Sequence, residues 1–365
     1  MLNKPKNDRE QNGCFGTKDR AWELIEKLEK NHSLEIQEYQ YLIEHYSPAL
    51  AQVLAHKADQ LRKTVYGNTV FIRGLIEVSN ICKNDCLYCG IRKSNSNCDR
   101  YRLTKEDILE CCEEGYDLGF RTFVLQGGED GYYSDERLVD IVATIRKQYP
   151  DCAITLSLGE RSKKSYQKLY DAGANRYLLR HETASPEHYR KLHPEQMSFE
   201  TRMECLRQLK EIGFQVGCGF MVGSPGQTSE HLARDLKFVE TFSPDMCGIG
   251  PFIPHRDTPF REETPGNADL TCYLLSIIRL ACPHVLLPAT TALGTIQGDG
   301  RERGIQSGAN VVMPNLSPVS VRKKYELYND KINTGAESAQ CIADLKNRMN
   351  AIGYQVVMER GDVRK

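Results

Sequence analysis

The chain has almost no net charge: 48 Lys and Arg stand against 49 Asp and Glu in 365 residues. With neither sign in excess, there is no basic footprint for a nucleic acid or for an anionic membrane. A long apolar run is missing as well. The most apolar late stretch, Leu274 to Leu287, is interrupted by Arg279, Pro283 and His284, and it is too short to span a bilayer. The first residues, Met1-Leu2-Asn3-Lys4-Pro5-Lys6-Asn7-Asp8, lack the apolar core of an export signal. The expectation is a soluble cytoplasmic protein that binds neither nucleic acid nor membrane. A dinucleotide-type glycine fingerprint is also absent, which weighs against a doubly wound nucleotide-binding sheet.

Cysteine, by contrast, is plentiful, with 14 residues. Most are scattered: Cys14, Cys98, Cys111, Cys112, Cys152, Cys205, Cys218, Cys247, Cys272, Cys282 and Cys341. Without an export signal these read as small buried hydrophobes in a reducing compartment, not as a disulfide framework. Only Cys82, Cys86 and Cys89 have the spacing of metal ligands.

Residues 1 to 20 read as a loose polar arm. Helical periodicity follows over Ala21 to Lys30 and Glu35 to Leu61, the second stretch split by Pro48. From residue 69 short β-branched runs alternate with amphipathic stretches at roughly 30-residue intervals, the spacing of β/α units. The expected strands are Thr69–Val78, Thr122–Leu125, Ala153–Leu158, Arg176–Leu179, Gln215–Val222, Met246–Gly250, His284–Leu287 and Asn310–Val312. Gly119, Gly173, Gly213 and Gly308 fall where helices between them should end, and Thr104 and Ser198 where two should begin. These units predict a TIM-type (β/α)8 barrel. Residues 1–68 would supply N-terminal helices packed on it, 69–313 the barrel, and 314–365 a C-terminal helical extension closing its rim.

The segment Cys82-Lys83-Asn84-Asp85-Cys86-Leu87-Tyr88-Cys89 directly follows the first strand. In a barrel it is therefore the first loop on the catalytic face. Thiolates suit iron–sulfur clusters and zinc. Structural zinc wants four ligands, and beyond Cys89 only Cys98 is near, so the spacing favours a cluster over a zinc knuckle.

Three cysteines spaced Cx3Cx2C, with the aromatic Tyr88 before the third, resemble the signature of the radical S-adenosylmethionine superfamily. The resemblance implies one 4Fe-4S cluster held by Cys82, Cys86 and Cys89, its fourth iron open to S-adenosylmethionine. Reduction then splits that molecule to a 5′-deoxyadenosyl radical, which demands an enclosed, dry site. After the second strand, Gln126-Gly127-Gly128-Glu129 would by itself be an ordinary turn. By resemblance it is the glycine-rich segment that receives the methionine amino group. Ser157 and Glu182 would then contact the nucleoside and Arg202 the carboxylate, although Arg202 alone could as well be a solvated helix residue.

The strings Arg176–Thr183 (RYLLRHET), Gly248–His255 (GIGPFIPH), Pro288–Thr295 (PATTALGT) and Gly308–Asn315 (GANVVMPN) resemble the HydE family of iron-iron hydrogenase maturases. The likeness runs from about residue 20 to 330. It implies an enzyme of di-iron centre (H-cluster) assembly whose substrate is a small iron complex supplied by the maturase HydG, with product passing toward HydF. Its reductant would be a ferredoxin or flavodoxin. Arg176, Arg180, Thr290, Thr291, Met313 and Tyr328 would line the substrate end. Some members carry a second cluster on three further cysteines near the C-terminus. Here Asn333 to Asp344 retains only Cys341, so a single cluster is expected. The alternatives are a lysine isomerase resembling methylornithine synthase, and a non-catalytic iron–sulfur scaffold. Biotin synthase, which needs further cysteine ligands, fits less well.

Overall fold

The structure, a computed structural model, describes residues 12–332 and 337–364. The first part of the polar arm and residues 333–336 of the expected second-cluster region lie outside the described residues.

The strands are β1 (Thr69–Ile72), β2 (Gly74–Ser79), β3 (Thr122–Gly127), β4 (Ala153–Ser157), β5 (Arg176–Leu178), β6 (Gln215–Cys218), β7 (Met221–Val222), β8 (Met246–Cys247), β9 (Gly250–Pro251), β10 (Val311–Val312) and β11 (Gln355–Val357). Six of them form one parallel sheet in the order β2-β3-β4-β5-β6-β8. Single bridges then carry the pairing on, from Met246 to Leu286 and from Pro288 to Val311. β10 in turn pairs with β1, whose chain runs into β2, so the parallel pairing returns to its start. This is the TIM-type barrel. Its strands are buried on both faces, as a parallel sheet wrapped in helices requires.

Three expected strands are each interrupted. The 69–78 run breaks at Arg73 because β1 must also pair with β10 and β11, while β2 pairs with β3. The 215–222 run breaks after β6, at Gly219. Its φ is +154°, and a Cβ there would lie 2.0 Å from the Gly248 carbonyl oxygen. The 246–250 run breaks correspondingly, and the two fragments past the break, β7 and β9, pair with each other. The expected 284–287 strand keeps only the bridges at Leu286 and Pro288.

The helices are α1 (Asn12–Asn31), α2 (Ile36–Glu44), α3 (Pro48–Tyr66), α4 (Lys105–Asp117), α5 (Asp135–Gln148), α6 (Lys163–Asp171), α7 (Pro186–Leu192), α8 (Phe199–Ile212), α9 (Ser229–Phe242), α10 (Ala268–Ala281), α11 (Thr291–Ile296), α12 (Gly300–Gln306), α13 (Val319–Arg322) and α14 (Ile342–Ala351). Thr104 and Asp107 cap α4 reciprocally, and the Ser198 hydroxyl accepts from the Thr201 amide at the start of α8. Pro48 is the first residue of α3, where a missing N–H costs nothing. α1 and α3 pack on α10, and α2 packs on α9, so the N-terminal helices cover one flank of the barrel.

The charged tail does more than its composition suggests. β11 adds to β1 in parallel, and the chain then turns under the barrel's N-terminal end. There Asp362 meets Arg176, the first residue of β5, at 2.5 Å, and Arg360 offers Arg176 its carbonyl at 2.9 Å. Arg176 is almost fully buried, and Gln215 and Thr122 complete its shell at 3.0 and 3.2 Å. Burial works to raise the Asp362 carboxyl, but hydrogen bonds and charge from Arg360 and Arg176 hold it well below the usual carboxylate range. Its stabilisation is thus full at neutral pH and lost as pH falls below about 4, toward the folded value. Asp362→Ala should cost about 1–2 kcal/mol at neutral pH, less than a fully buried pair because the carboxylate is 38% exposed. Urea unfolding followed by circular dichroism should show this gap narrowing once the pH drops below about 4. Equal midpoints at neutral pH would show that the pair does not hold the tail.

Candidate active site

Residues 80–100 contain no regular helix or strand, so their backbone polar groups need other partners. Arg100 supplies several at once. Its guanidinium donates to the carbonyls of Asn80, Ile91, Arg92 and Asn95 at 2.5–3.0 Å. Asn80 in turn ties the segment to the carbonyls of Asp99 and Lys324, at 2.8 and 2.7 Å. Asp85 accepts from Arg92 at 2.7 Å and from the amide and hydroxyl of Ser94. Burial opposes part of this effect, but those bonds lower the Asp85 carboxyl to about 2. The Leu87 amide reaches the Leu192 carbonyl and the Gly90 amide the Leu327 carbonyl, which stitches the loop to both sides of the barrel mouth.

The loop thereby presents Cys82, Cys86 and Cys89 to one cavity of about 310 Å³ at the C-terminal ends of the strands. Burial pushes all three thiols upward, Cys89 to about 12, and for Cys86 and Cys89 neighbouring thiolate charge adds to the effect. Bound cationic iron would reverse this and drive the protons off. The Glu129 amide already points at the Cys82 sulfur, 3.4 Å away. Among the described residues the three sulfurs do not converge on a point as ligands of one ion do. A cubane does not ask this of them, because each thiolate binds a different iron.

The other walls come from successive strand ends. Gln126, Gly127, Gly128 and Glu129 follow β3. A Cβ on Gly128 would stand 2.3 Å from the Ile81 carbonyl oxygen and 2.8 Å from the Cys82 Cβ, so glycine lets this turn lie against the cysteine loop. Ser157 ends β4, and the Tyr88 hydroxyl sits 3.2 Å from His193 Nε2. Glu182 adopts a left-handed φ of +65°, costly for a residue with a side chain, and is 8% exposed. Its Oε2 lies 3.1 Å from Arg180, yet neither that oxygen nor Arg180 Nε and Nη2 has an aligned hydrogen-bond partner. Thr290 Oγ1 is likewise buried and unpaired. Buried polar atoms without aligned partners cost free energy, and here they face a cavity that a polar ligand would fill. Arg202 is buried as well, not solvated. It bonds Glu160 and the Arg180 carbonyl, each at 2.6 Å, and lines the cavity.

Of the expected substrate-end residues, Arg180, Thr290 and Tyr328 line this cavity. Arg176 lies deeper, in a small void at the barrel's other end, and Leu178 borders both spaces. Thr291 and Met313 face neither. The Thr291 hydroxyl bonds Glu337 and Arg301, each at 3.2 Å. Met313 packs with Tyr66, Phe71 and Leu286. Sequence reasoning also overlooked several wall residues. Met197, whose Sδ is 3.6 Å from Cys86 Sγ, comes from the loop after α7, and Tyr325 and Leu327 come from the segment after α13. No periodicity marks such loop residues.

Residues 76–239 match the profile of the radical SAM superfamily. The FeFe-hydrogenase maturase subunit HydE of Thermotoga maritima is 46% identical over 302 residues, which cover 83% of this chain and 86% of that protein. 3-Methylornithine synthase of Methanosarcina acetivorans is 32% identical, over 79% of this chain and 81% of its own length. Among solved structures, methylornithine synthase (PylB) superposes with a TM-score of 0.79 at 28% identity, covering 92% of this chain and 97% of that one. With a barrel of this form and a cysteine loop at its mouth, these likenesses show that the chain belongs to the HydE family of radical SAM enzymes, which bind a 4Fe-4S cluster and S-adenosylmethionine.

Proposed function

We propose that Cys82, Cys86 and Cys89 hold a single 4Fe-4S cluster, and that the cavity beside them binds S-adenosylmethionine and a small iron complex during assembly of the di-iron centre of hydrogenase. The observation that carries this reading is one cavity faced by three cysteines, by the Arg180–Glu182 ion pair and by the unpartnered hydroxyl of Thr290. When bound, the cluster supplies the electron that breaks the sulfonium C–S bond and frees the 5′-deoxyadenosyl radical.

The chain's own residues hold and enclose the reactants. The turn at Gln126, Gly127, Gly128 and Glu129 takes the methionine amino group, and Arg202 pairs with its carboxylate. Ser157 and Glu182 take the ribose hydroxyls, the latter through a carboxylate that Arg180 holds at 3.1 Å. Tyr88, Met221 and Phe252 exclude water from the cavity's upper wall. Arg180, Thr290 and Tyr328 face the substrate, with Arg176 below them and Thr291 and Met313 behind the wall. The Arg180 guanidinium, whose Nε has no hydrogen-bond partner, suits an anionic ligand such as a cyanide-bearing iron complex. The maturases HydG and HydF would be its upstream and downstream partners, in the cytoplasm, with a ferredoxin or flavodoxin as reductant.

The likeness to methylornithine synthase supports a second reading, isomerisation of lysine, in which Arg180 would take an amino-acid carboxylate. On the maturase reading, incubation with lysine should yield no methylornithine, whereas extract containing immature hydrogenase should gain activity when the protein is added. The opposite pair of results would favour the isomerase.

Two experiments test the site itself. Reconstituted anaerobically, the protein should carry about four irons per chain and convert S-adenosylmethionine to 5′-deoxyadenosine with dithionite. Cys86→Ala should lower that yield at least about 100-fold. No product from the intact protein would leave only a scaffold, and about eight irons would require a second cluster. Gly128→Ala should keep its circular dichroism but lose cluster absorbance and iron, because the new methyl group displaces the Cys82 segment. Full iron content in that variant would show that the turn does not set the loop's position.

A further inference from the structure

Of the three cysteines, Cys82 is the one that also borders an outer surface groove. Cys82 and Glu129 line both the inner cavity and an open outer groove of about 540 Å³. The outer side of that groove is cationic, although the chain as a whole is close to neutral. Lys83 is 64% exposed, Lys93 is exposed, and Arg102 is 41% exposed. Arg100 spends its hydrogen bonds on four carbonyls, so no carboxylate cancels its charge. At the groove's edge the exposed Tyr132 ring lies between two guanidiniums, Arg102 at 5.1 Å and Arg137 at 3.9 Å. The groove's two carboxylates offset two of these charges, Glu129 pairing with Lys83 at 3.0 Å and Asp130 with Arg102 at 2.7 Å, and Lys93 and Arg100 carry the remaining positive charge. Glu129 and Asp130 turn inward, their side chains 10% and 1% exposed. Beside Arg137, Glu136 lies 3.8 Å from Lys168 on another helix. Further along the loop Asp99 is taken by Lys324 at 2.8 Å and Asp85 by Arg92.

We propose that this groove is where a small, acidic one-electron carrier protein docks. The inference rests on the cluster assignment above and names the face through which that site is reduced. Docking itself makes and breaks no bond. The reduced carrier loses one electron and the cluster gains it, and Cys82, which borders both spaces, offers a short path between the two. Redox encounters are weak and brief, and they depend on charge steering more than on apolar burial. A cationic rim around one exposed aromatic matches that kind of contact.

The test uses the reconstituted full chain with a purified acidic flavodoxin as carrier. Lys93→Glu combined with Arg137→Glu reverses two exposed charges that lie outside the proposed cluster, S-adenosylmethionine and substrate contacts. Affinity for flavodoxin, measured by thermophoresis at low salt without turnover, should fall at least about tenfold. Flavodoxin-driven formation of 5′-deoxyadenosine should fall with it, while the dithionite-driven rate stays unchanged. Lys30→Glu combined with Lys147→Glu, at helix ends away from the groove, should leave the affinity alone. Unchanged affinity in the groove variant, or an equal loss in the distant one, would overturn the proposal. If the parent chain makes no 5′-deoxyadenosine with dithionite, the cluster reading fails, yet the affinity measurement still decides the docking face.

Discussion

The guanidinium of Arg100 is the interaction on which the rest of the site depends. Residues 80–100 around the cysteines form neither helix nor strand, so their carbonyls cannot satisfy one another in a ladder. One planar cation with five donors can hold several of them at once, in a geometry no lysine could reproduce. Four carbonyls converge on Arg100, and Asn80 links the same segment to the chain after α13. The loop's shape then fixes which way three sulfurs face, and a cubane tolerates little error in that. The same residue lends its charge to the outer groove, so a structural device on the inside is an electrostatic feature outside.

A second consequence is that the two ends of the barrel are sealed by different means. The C-terminal end is closed by loops that keep an interior space and leave polar atoms free. The N-terminal end is closed by the tail, with β11 extending the pairing at β1 and Asp362 neutralising the buried Arg176. Without that partner, the guanidinium in the barrel floor would keep only neutral acceptors for a buried charge, Gln215, Thr122 and the Arg360 carbonyl. A tail that looks like a solvated charge run is therefore part of the barrel.

Much of this was legible in the sequence, and the divide is physical. The cysteine trio was legible because ligand spacing is local, and Thr104, Ser198 and Pro48 because helix starts are set by a few adjacent residues. The barrel was legible from the repeat of apolar runs. What was not legible depended on partners distant in the chain. The break at Gly219 follows from the close approach of Gly248, and the break at Arg73 from a strand that serves two neighbours. β11 was missed because Gln355–Val357 is too short to stand out beside a charged tail. Arg202 read equally well as solvated because helical spacing alone does not say which face is covered. Arg100 and Met197 gave no signal at all, since neither belongs to a periodic element.

The strained segment at the end of β5 shows how such a site is kept in place at a cost to the fold. Arg180 and Glu182 present their ion pair to the cavity, and Glu182 does so from a left-handed backbone. Between them, His181 points the other way and is fully buried, with Nε2 3.3 Å from Asp235. The Gly219 amide donates to its Nδ1, which leaves the ring's proton on Nε2, facing that carboxyl. Burial lowers His181 to about 3 and raises Asp235, so the pair adds no net charge to the core. The Ala184 amide also bonds Asp235, and the Glu182 amide donates to the Gly219 carbonyl. The backbone on either side of Glu182 is thus held from behind by groups that never touch the cavity. Strain of this kind persists only where the surroundings over-determine it. The Arg180–Glu182 pair in front and the backbone bonds behind are one arrangement, in which the amides of Glu182, Ala184 and Gly219 hold the strained turn in place for a ligand.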